Sequence, residues 1–251
     1  ALSHLFRFMC LILFAVQPND RLRLVIAANR DELYGRPSNS AEYWQDSPAV
    51  LGGRDLQMGG TWLGISKQGR FAAVTNFRET PADPLPPRSR GELCSKFLTT
   101  SLSARDYLKG IQSLKHEYRG FNLILHDGSD MYYYSNRADS IRILEPGFYG
   151  LSNQLLDCDW PKVKKGRLKM AHIVQSHSQT NLLHRELFDL LFDKGDGEPF
   201  SNSFIAADEY GTCAATVLSI TSEGETSFQE QGFSSNGKRE QLRSYSLLLP
   251  S

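Results

Sequence analysis

Arg21-Leu22-Arg23-Leu24-Val25-Ile26-Ala27-Ala28-Asn29-Arg30-Asp31-Glu32 is the stretch on which the fold turns. It begins as alternation and ends as an unbroken apolar run, the pattern of a strand entering a buried sheet. Four polar residues then arrive together, so the strand over 21–28 is expected to stop at Asn29. An amide, a guanidinium and two carboxylates at the end of a rigid strand can present donors and acceptors to a ligand. The same four can equally close a salt-bridged turn, since surface ion pairs are common and contribute little.

Upstream, residues 8–16 form a second apolar run, ended by Gln17-Pro18-Asn19-Asp20. The run is too short to cross a bilayer, which takes about 20 residues, and no small-residue cleavage site follows it. A strand, a turn and the strand over 21–28 are predicted, which sets Cys10 beside the polar quartet.

The 251 residues carry 28 basic and 28 acidic side chains. That balance gives no field to gather nucleic acid or an anionic membrane. No interdomain linker is visible, so one domain is expected. Cysteines at 10, 94, 158 and 213 have neither C-x-x-C nor zinc-ligand spacing, which points to free thiols in a reducing compartment such as the cytoplasm. No pair among the histidines has ligand spacing, so no metal site is assigned. Neither a P-loop nor a G-x-G-x-x-G pattern occurs.

Further along, 36–53 is rich in Pro, Ser, Asn and Asp and reads as loop carrying Tyr43 and Trp44. Hairpin strands follow at 62–66 and 70–75, and helices at 91–100 and 103–114, the second capped by Ser103. Strands are predicted at 121–126 and 131–135 around Asp127-Gly128, and at 147–151, delivering Ser152-Asn153 to a strand end. Helices follow at 162–176, with a wet basic face, and at 181–192. Strands at 214–220, 226–230 and 242–249 close the chain. Sheets covered by helices, an α+β class, are implied.

Several of these segments together resemble one family. Asn29-Arg30-Asp31-Glu32, continuing through Pro37, is followed in order by Gly59-Gly60-Thr61-Trp62-Leu63-Gly64-Ile65, Ala73-Val74-Thr75-Asn76-Phe77-Arg78, Ser89-Arg90-Gly91-Glu92-Leu93, Gly120-Phe121-Asn122-Leu123 and Tyr149-Gly150-Leu151-Ser152-Asn153. The ordered set resembles the NRDE family, also called the transport and Golgi organisation protein 2 family. The resemblance implies a four-layer αββα sandwich, N-terminal nucleophile hydrolase-like, over residues 9–251. Residues 1–8 are then an extension, because such proteins typically begin at a Met-Cys pair.

Two functions follow from the resemblance. One is binding and transfer, since NRDE relatives are associated with mobilising haem from where it is made or stored. Haem would then be cargo handed to receiving proteins, not a prosthetic group. Mitochondrial or peripheral membrane association is compatible with a eukaryotic source. Its site would gather Asn29, Arg30, Asp31, Glu32, Arg36, Trp62, Asn76 and Arg90, with Arg78 and Arg88 as further propionate partners and Tyr43, Trp44, Phe71 and Phe77 as aromatic surface. The alternative is an N-terminal cysteine hydrolase of a small amide or thioester, with Cys10 as nucleophile and Arg30 supporting its thiolate. Asp31 would hold the amine, and Asn76 or Asn153 would donate to the oxyanion. A binder of another lipid-like ligand is the third possibility. Where the family commonly shows Tyr-Gly-Thr-Arg, this chain reads Tyr210-Gly211-Thr212-Cys213.

Overall fold

The computed structural model describes residues 10–79 and 88–250. In chain order these form β1 (Leu11–Asn19), β2 (Leu22–Leu33), β3 (Ser38–Tyr43), β4 (Val50–Asp55), β5 (Leu63–Ser66), β6 (Phe71–Asn76), α1 (Gly91–Thr99) and α2 (Ala104–Ser113). Next come β7 (Phe121–His126), β8 (Met131–Ser135), β9 (Ser140–Leu144), β10 (Gly147–Leu151), α3 (Pro161–Ser176) and α4 (Thr180–Leu191). β11 (Tyr210–Thr221), β12 (Glu225–Ser234) and β13 (Lys238–Leu248) complete the fold. The extension assigned to 1–8 and most of the proline-rich stretch after residue 79 lie outside the described residues.

The strands pair into a six-stranded sheet, β10-β1-β2-β11-β12-β13, and a seven-stranded sheet running in order from β3 to β9. All pairings are antiparallel. Alternation along β1 explains the stacking. Ile12, Phe14 and Val16 enter the core between the sheets with Ile65, Phe71 and Ile124. Leu11, Leu13 and Ala15 face the other way, against Val163 and Met170 of α3 and Leu187 of α4. On the far side, Leu93 and Phe97 of α1 and Leu108 of α2 cover Leu123 and Tyr134. The result is the αββα sandwich. Strand β1 reads as a continuous apolar run because both its faces are covered.

Local chemistry fixes the joints. Asn19 accepts from the amides of Arg21 and Leu22 at 3.1 and 3.0 Å, closing the β1–β2 turn. Ser103 caps α2 by accepting from Asp106 N at 3.1 Å. Pro161 opens α3, where its missing donor costs nothing. A Cβ on Gly150 would stand 2.8 Å from Val163, and one on Gly166 2.8 Å from Leu13, so both glycines let α3 lie close on β10 and β1.

Three expectations from the sequence are corrected. The stretch 36–53 is not all loop: it holds β3 and the start of β4. Strand β3 is the edge of its sheet, with an irregular register between Asn39 and Glu42, and an edge strand has no need of an apolar pattern. The same reason hides β9, at the opposite edge. Strand β2 does not stop at Ala28 but runs through the polar quartet to Leu33, because β11 extends back to pair Tyr210 with Leu33. The partner satisfies backbone groups that composition alone leaves open.

Candidate functional site

Continuing β2 through Asn29 to Glu32 splits the quartet between two faces. Leu24, Ile26 and Ala28 point between the sheets, so Arg30 and Glu32 share that face, while Asn29 and Asp31 turn toward α3 and α4. Asn29, buried, donates to the carbonyls of Leu191 and Ser203, both at 2.8 Å, and so fastens the end of α4 to the sheet. Its place is beneath the site, not on its wall.

Asp31 is 3 % exposed. Its Oδ1 accepts from the Thr212 hydroxyl at 2.7 Å, and its Oδ2 has no hydrogen-bond partner. The thiol of Cys10 sits against its backbone: Asp31 N donates to Cys10 Sγ at 3.4 Å, and Sγ approaches Asp31 O at 3.7 Å. Burial, reinforced by the Asp31 charge, pushes the Cys10 thiol up to about 12. Burial likewise raises Asp31 to about 6, against the pull of Lys162.

Arg30 is stacked 4.1 Å over the Trp62 ring and donates to Ser38 Oγ at 3.3 Å. Its guanidinium therefore lies on the indole face, an attraction between cation and ring quadrupole. Glu32 reaches Arg36 at 3.9 Å, and Arg36 pairs with Asp55 at 2.7 Å. Arg90 donates to Gly120 O at 3.1 Å, and burial together with the neighbouring Arg119 lowers it to about 10. Arg88 is held by Glu92 and Glu117.

The turn after β10 ties the two sheets together at this end. Ser152 donates to Cys10 O at 2.6 Å, Thr75 donates to Ser152 O at 2.7 Å, and Asn153 donates to Asn76 O at 2.8 Å. With its amide on that carbonyl and no exposed surface, Asn153 acts as a strut. Asn76, beside it, reaches the open side.

That open side is a cleft of about 380 Å³. Of the residues singled out in the sequence, it brings together Cys10, Arg30, Asp31, Glu32, Arg36, Trp62, Asn76, Arg88 and Arg90. Asn29 and Asn153 support it from behind. Of the proposed aromatic surface only Trp62 lines it: Phe71 is in the core between the sheets, Trp44 lies under α1, and Tyr43 packs on Tyr245. Arg78 stacks on Phe200 at 5.1 Å instead. Cys213 bulges out of register between Thr212 and Ala214 and bonds back to Glu32 O, facing a neighbouring cavity of about 250 Å³.

Four residues of the site escaped sequence reading, among them Asp55, the partner of Arg36 on the cleft wall. Arg119 and Met58 line the cleft. Lys162 was placed on a wet basic face, yet it is 2 % exposed, and its charge is felt by both Asp31 and Cys10. Burial lowers it to about 8, against the pull of Asp31. The signal was present as spacing: Lys162, Gly166, Met170 and Val174 form one buried i, i+4 row. The cations that follow, exposed Lys164, Lys165 and Lys169 and half-buried Arg167, pair with Asp159, Asp196, Asp193 and Asp157 in that order. Among the described residues no group of three or more His, Cys, Asp and Glu is placed to hold a metal. No helix among them is long and apolar enough to cross a membrane.

Two stacked antiparallel sheets between helical layers, with an arginine-rimmed cleft at one end and a cysteine at the mouth of the first strand, define an αββα protein. The chain belongs to the Transport and Golgi organisation 2 family, whose model matches residues 9–235. It is 36 % identical to the Transport and Golgi organization 2 homolog of Mus musculus and to its Homo sapiens counterpart, each alignment spanning 89 % of this chain and 92 % of the relative. Identity to the Drosophila melanogaster protein is 27 % over the same shares. Among solved structures, the Caenorhabditis elegans N-acylethanolamine-hydrolyzing acid amidase (NAAA) ortholog aligns with a TM-score of 0.49 and 10 % identity, over 83 % of this chain and 92 % of that one.

Proposed function

We propose that this chain binds an amphipathic anion in the arginine-rimmed cleft and hands it on, with haem as the cargo, and that it does so in the cytoplasm. The observation that carries the reading is a surplus of positive charge. Arg30, Arg90 and Arg119 all line the cleft, and none of the three is in an ion pair among the described residues. Arg119 Nε is buried without a hydrogen-bond partner, and Arg90 and Arg119 already repel one another. A dianion between them would relieve both conditions.

The donor set suits a planar ligand with two carboxylates. The Arg30–Trp62 stack offers a flat face, and Arg90 and Arg119 offer separate cationic heads. The sulfurs available on the wall are the Met58 thioether, half exposed, and the protonated Cys10 thiol. None of the described histidines lines the cleft. Thioether and thiol are weak axial donors, which favours a cargo that leaves. The volume is at the small end of ligand pockets, about 300–1,000 Å³, so a macrocycle would sit with one edge in solvent, open to a receiving protein.

Titration of the full chain with haem, followed by Soret absorbance, tests the reading. Saturation at one site per chain, weakened about tenfold or more by Arg30→Ala, is expected. Unsaturable uptake that is unchanged in the variant would overturn it.

A further inference from the structure

Four strands end the two sheets: β10 and β13 in one, β3 and β9 in the other. Strands β3, β9 and β10 are short, of 6, 5 and 5 residues, and β3 is also irregular in register. Strand β13 has 11 residues and pairs regularly with β12 from Leu242 to Leu248. An edge of that length is an open template unless a proline, a bulge or a charge blunts it. Its free side can be located residue by residue. Leu249 N donates to Gly224 O at 2.9 Å across the ladder. By the alternation of an antiparallel pair, the N–H and C=O groups of Leu242, Ser244, Ser246 and Leu248 then turn away from β12. None of these backbone groups has a hydrogen-bond partner among the described residues.

The side chains of the same four residues are exposed, Leu242 at 46 % and Leu248 at 72 %. Between them Arg243, Tyr245 and Leu247 are half-buried, and Tyr245 and Leu247 pack on the core between the sheets. The outer face from 242 to 248 therefore reads Leu-Ser-Ser-Leu, a palindrome centred on Tyr245 that carries no charge. We propose that β13 pairs antiparallel with β13 of a second copy of this chain, about a twofold axis at Tyr245, joining the two six-stranded sheets into one. The strand lies beyond the residues that the family model matches, so this edge is read from the chain's own residues.

A twofold interface needs a surface complementary to itself, and the palindrome supplies one. Leu242 falls opposite the partner's Leu248, and Ser244 opposite the partner's Ser246. In that register every outward N–H and C=O from Leu242 to Leu248 meets an outward group of the other copy. A slip of one residue would instead oppose them to Arg243, Tyr245 and Leu247, whose backbone groups β12 already takes. Charge points to the same pairing. One end of β13 carries exposed Lys238 and Arg239, which outweigh Glu240, and the β11–β12 turn at its other end carries exposed Glu223 and Glu225. Lys238, Arg239, Glu223 and Glu225 are in no ion pair among the described residues. Antiparallel pairing about Tyr245 brings the cationic end of each copy to the acidic end of the other. A strand from a different protein would need neither the palindrome nor the opposed charges. The seam is about 20 Å long at about 3.4 Å per residue. That is small for a specific interface, so monomer and dimer exchange with concentration.

Sedimentation velocity of the full chain, from about 1 to about 200 µM, tests the proposal, and a monomer–dimer equilibrium is expected in that range. Ser244→Pro removes an N–H that β12 does not use, so the fold should survive while association weakens at least about tenfold. Leu242→Lys should weaken it to a similar degree. The combined Leu242→Lys/Leu248→Glu chain places an ammonium opposite the partner's carboxylate and should recover association. A chain that stays monomeric throughout the range would overturn the proposal. So would a dimer unchanged by both Ser244→Pro and Leu242→Lys, each shown by its urea midpoint to fold, or a combined chain that recovers nothing.

Discussion

Ser152 donates its hydroxyl to the carbonyl of Cys10 at 2.6 Å, joining residues 142 apart in the chain. With Thr75 on Ser152 O and Asn153 on Asn76 O, one turn locks the thiol-bearing end of the first sheet to β6 in the second. The cleft opens beside this lock, with Cys10 and Asn76 both on its wall.

Removing the strut should therefore cost stability. Asn153→Ala deletes a fully buried amide and leaves the Asn76 carbonyl without its partner. A loss of about 1–3 kcal/mol is expected. Urea denaturation should show a lower midpoint with an unchanged slope.

Gly166→Ala should destabilise by overpacking. The added methyl would stand 2.8 Å from Leu13 Cδ1, beneath β1, and forcing α3 outward is expected to cost about 1–3 kcal/mol. The exposed α3 substitution Lys164→Ala, by contrast, should stay within about 0.5 kcal/mol in the same denaturation series.

Stability should depend on pH through the buried lysine. Lys162 is lowered in the fold from its ordinary 10.5 to about 8, so between those values the unfolded chain binds more protons and stability rises with pH. Read as the difference between the unaltered chain and Lys162→Met, that contribution should grow by on the order of 1–3 kcal/mol across pH 8 to 10.5, while the buried thiols, Cys10 raised from 9.0 to about 12 among them, work against it in both chains above pH 9. Asp31, raised to about 6, works oppositely: its folded form holds the proton longer, so its contribution increases as pH falls from 6 toward 4. Denaturation midpoints measured across both windows, in the unaltered chain and in Lys162→Met, check the signs.

Much of this architecture could be read from periodicity. The apolar runs at 8–16 and 21–28 correctly announced central strands, and Ser103 announced a helix start, because those elements are covered or capped by their own residues. Edge strands β3 and β9 left no pattern, since one neighbour and solvent satisfy them. The site was legible in part. Cys10, Arg30, Trp62 and Arg90 were singled out and share one cleft, but the two-residue alternation that turns Asn29 and Asp31 to the other face depended on β2 continuing, which only its pairing with β11 reveals. Lys162 was lost among its charged neighbours because its burial is decided by the close approach of α3, a tertiary fact.

Trp62→Ala should affect ligand binding more than folding. It removes the ring under Arg30 at 4.1 Å, so haem affinity is expected to fall about tenfold. The quenching of tryptophan fluorescence on haem addition should shrink, because Trp44 and Trp160 lie away from the cleft. Fluorescence titration of the variant and the unaltered chain measures both effects.

The most direct test of the arginine-rimmed cleft is a Soret titration of haem into Arg90→Ala/Arg119→Ala beside the surface control Lys164→Ala/Lys169→Ala. The account predicts single-site binding in the control and in the unaltered chain, and a loss of about a hundredfold in the cleft variant. Equal losses in both variants, or none in either, would contradict it.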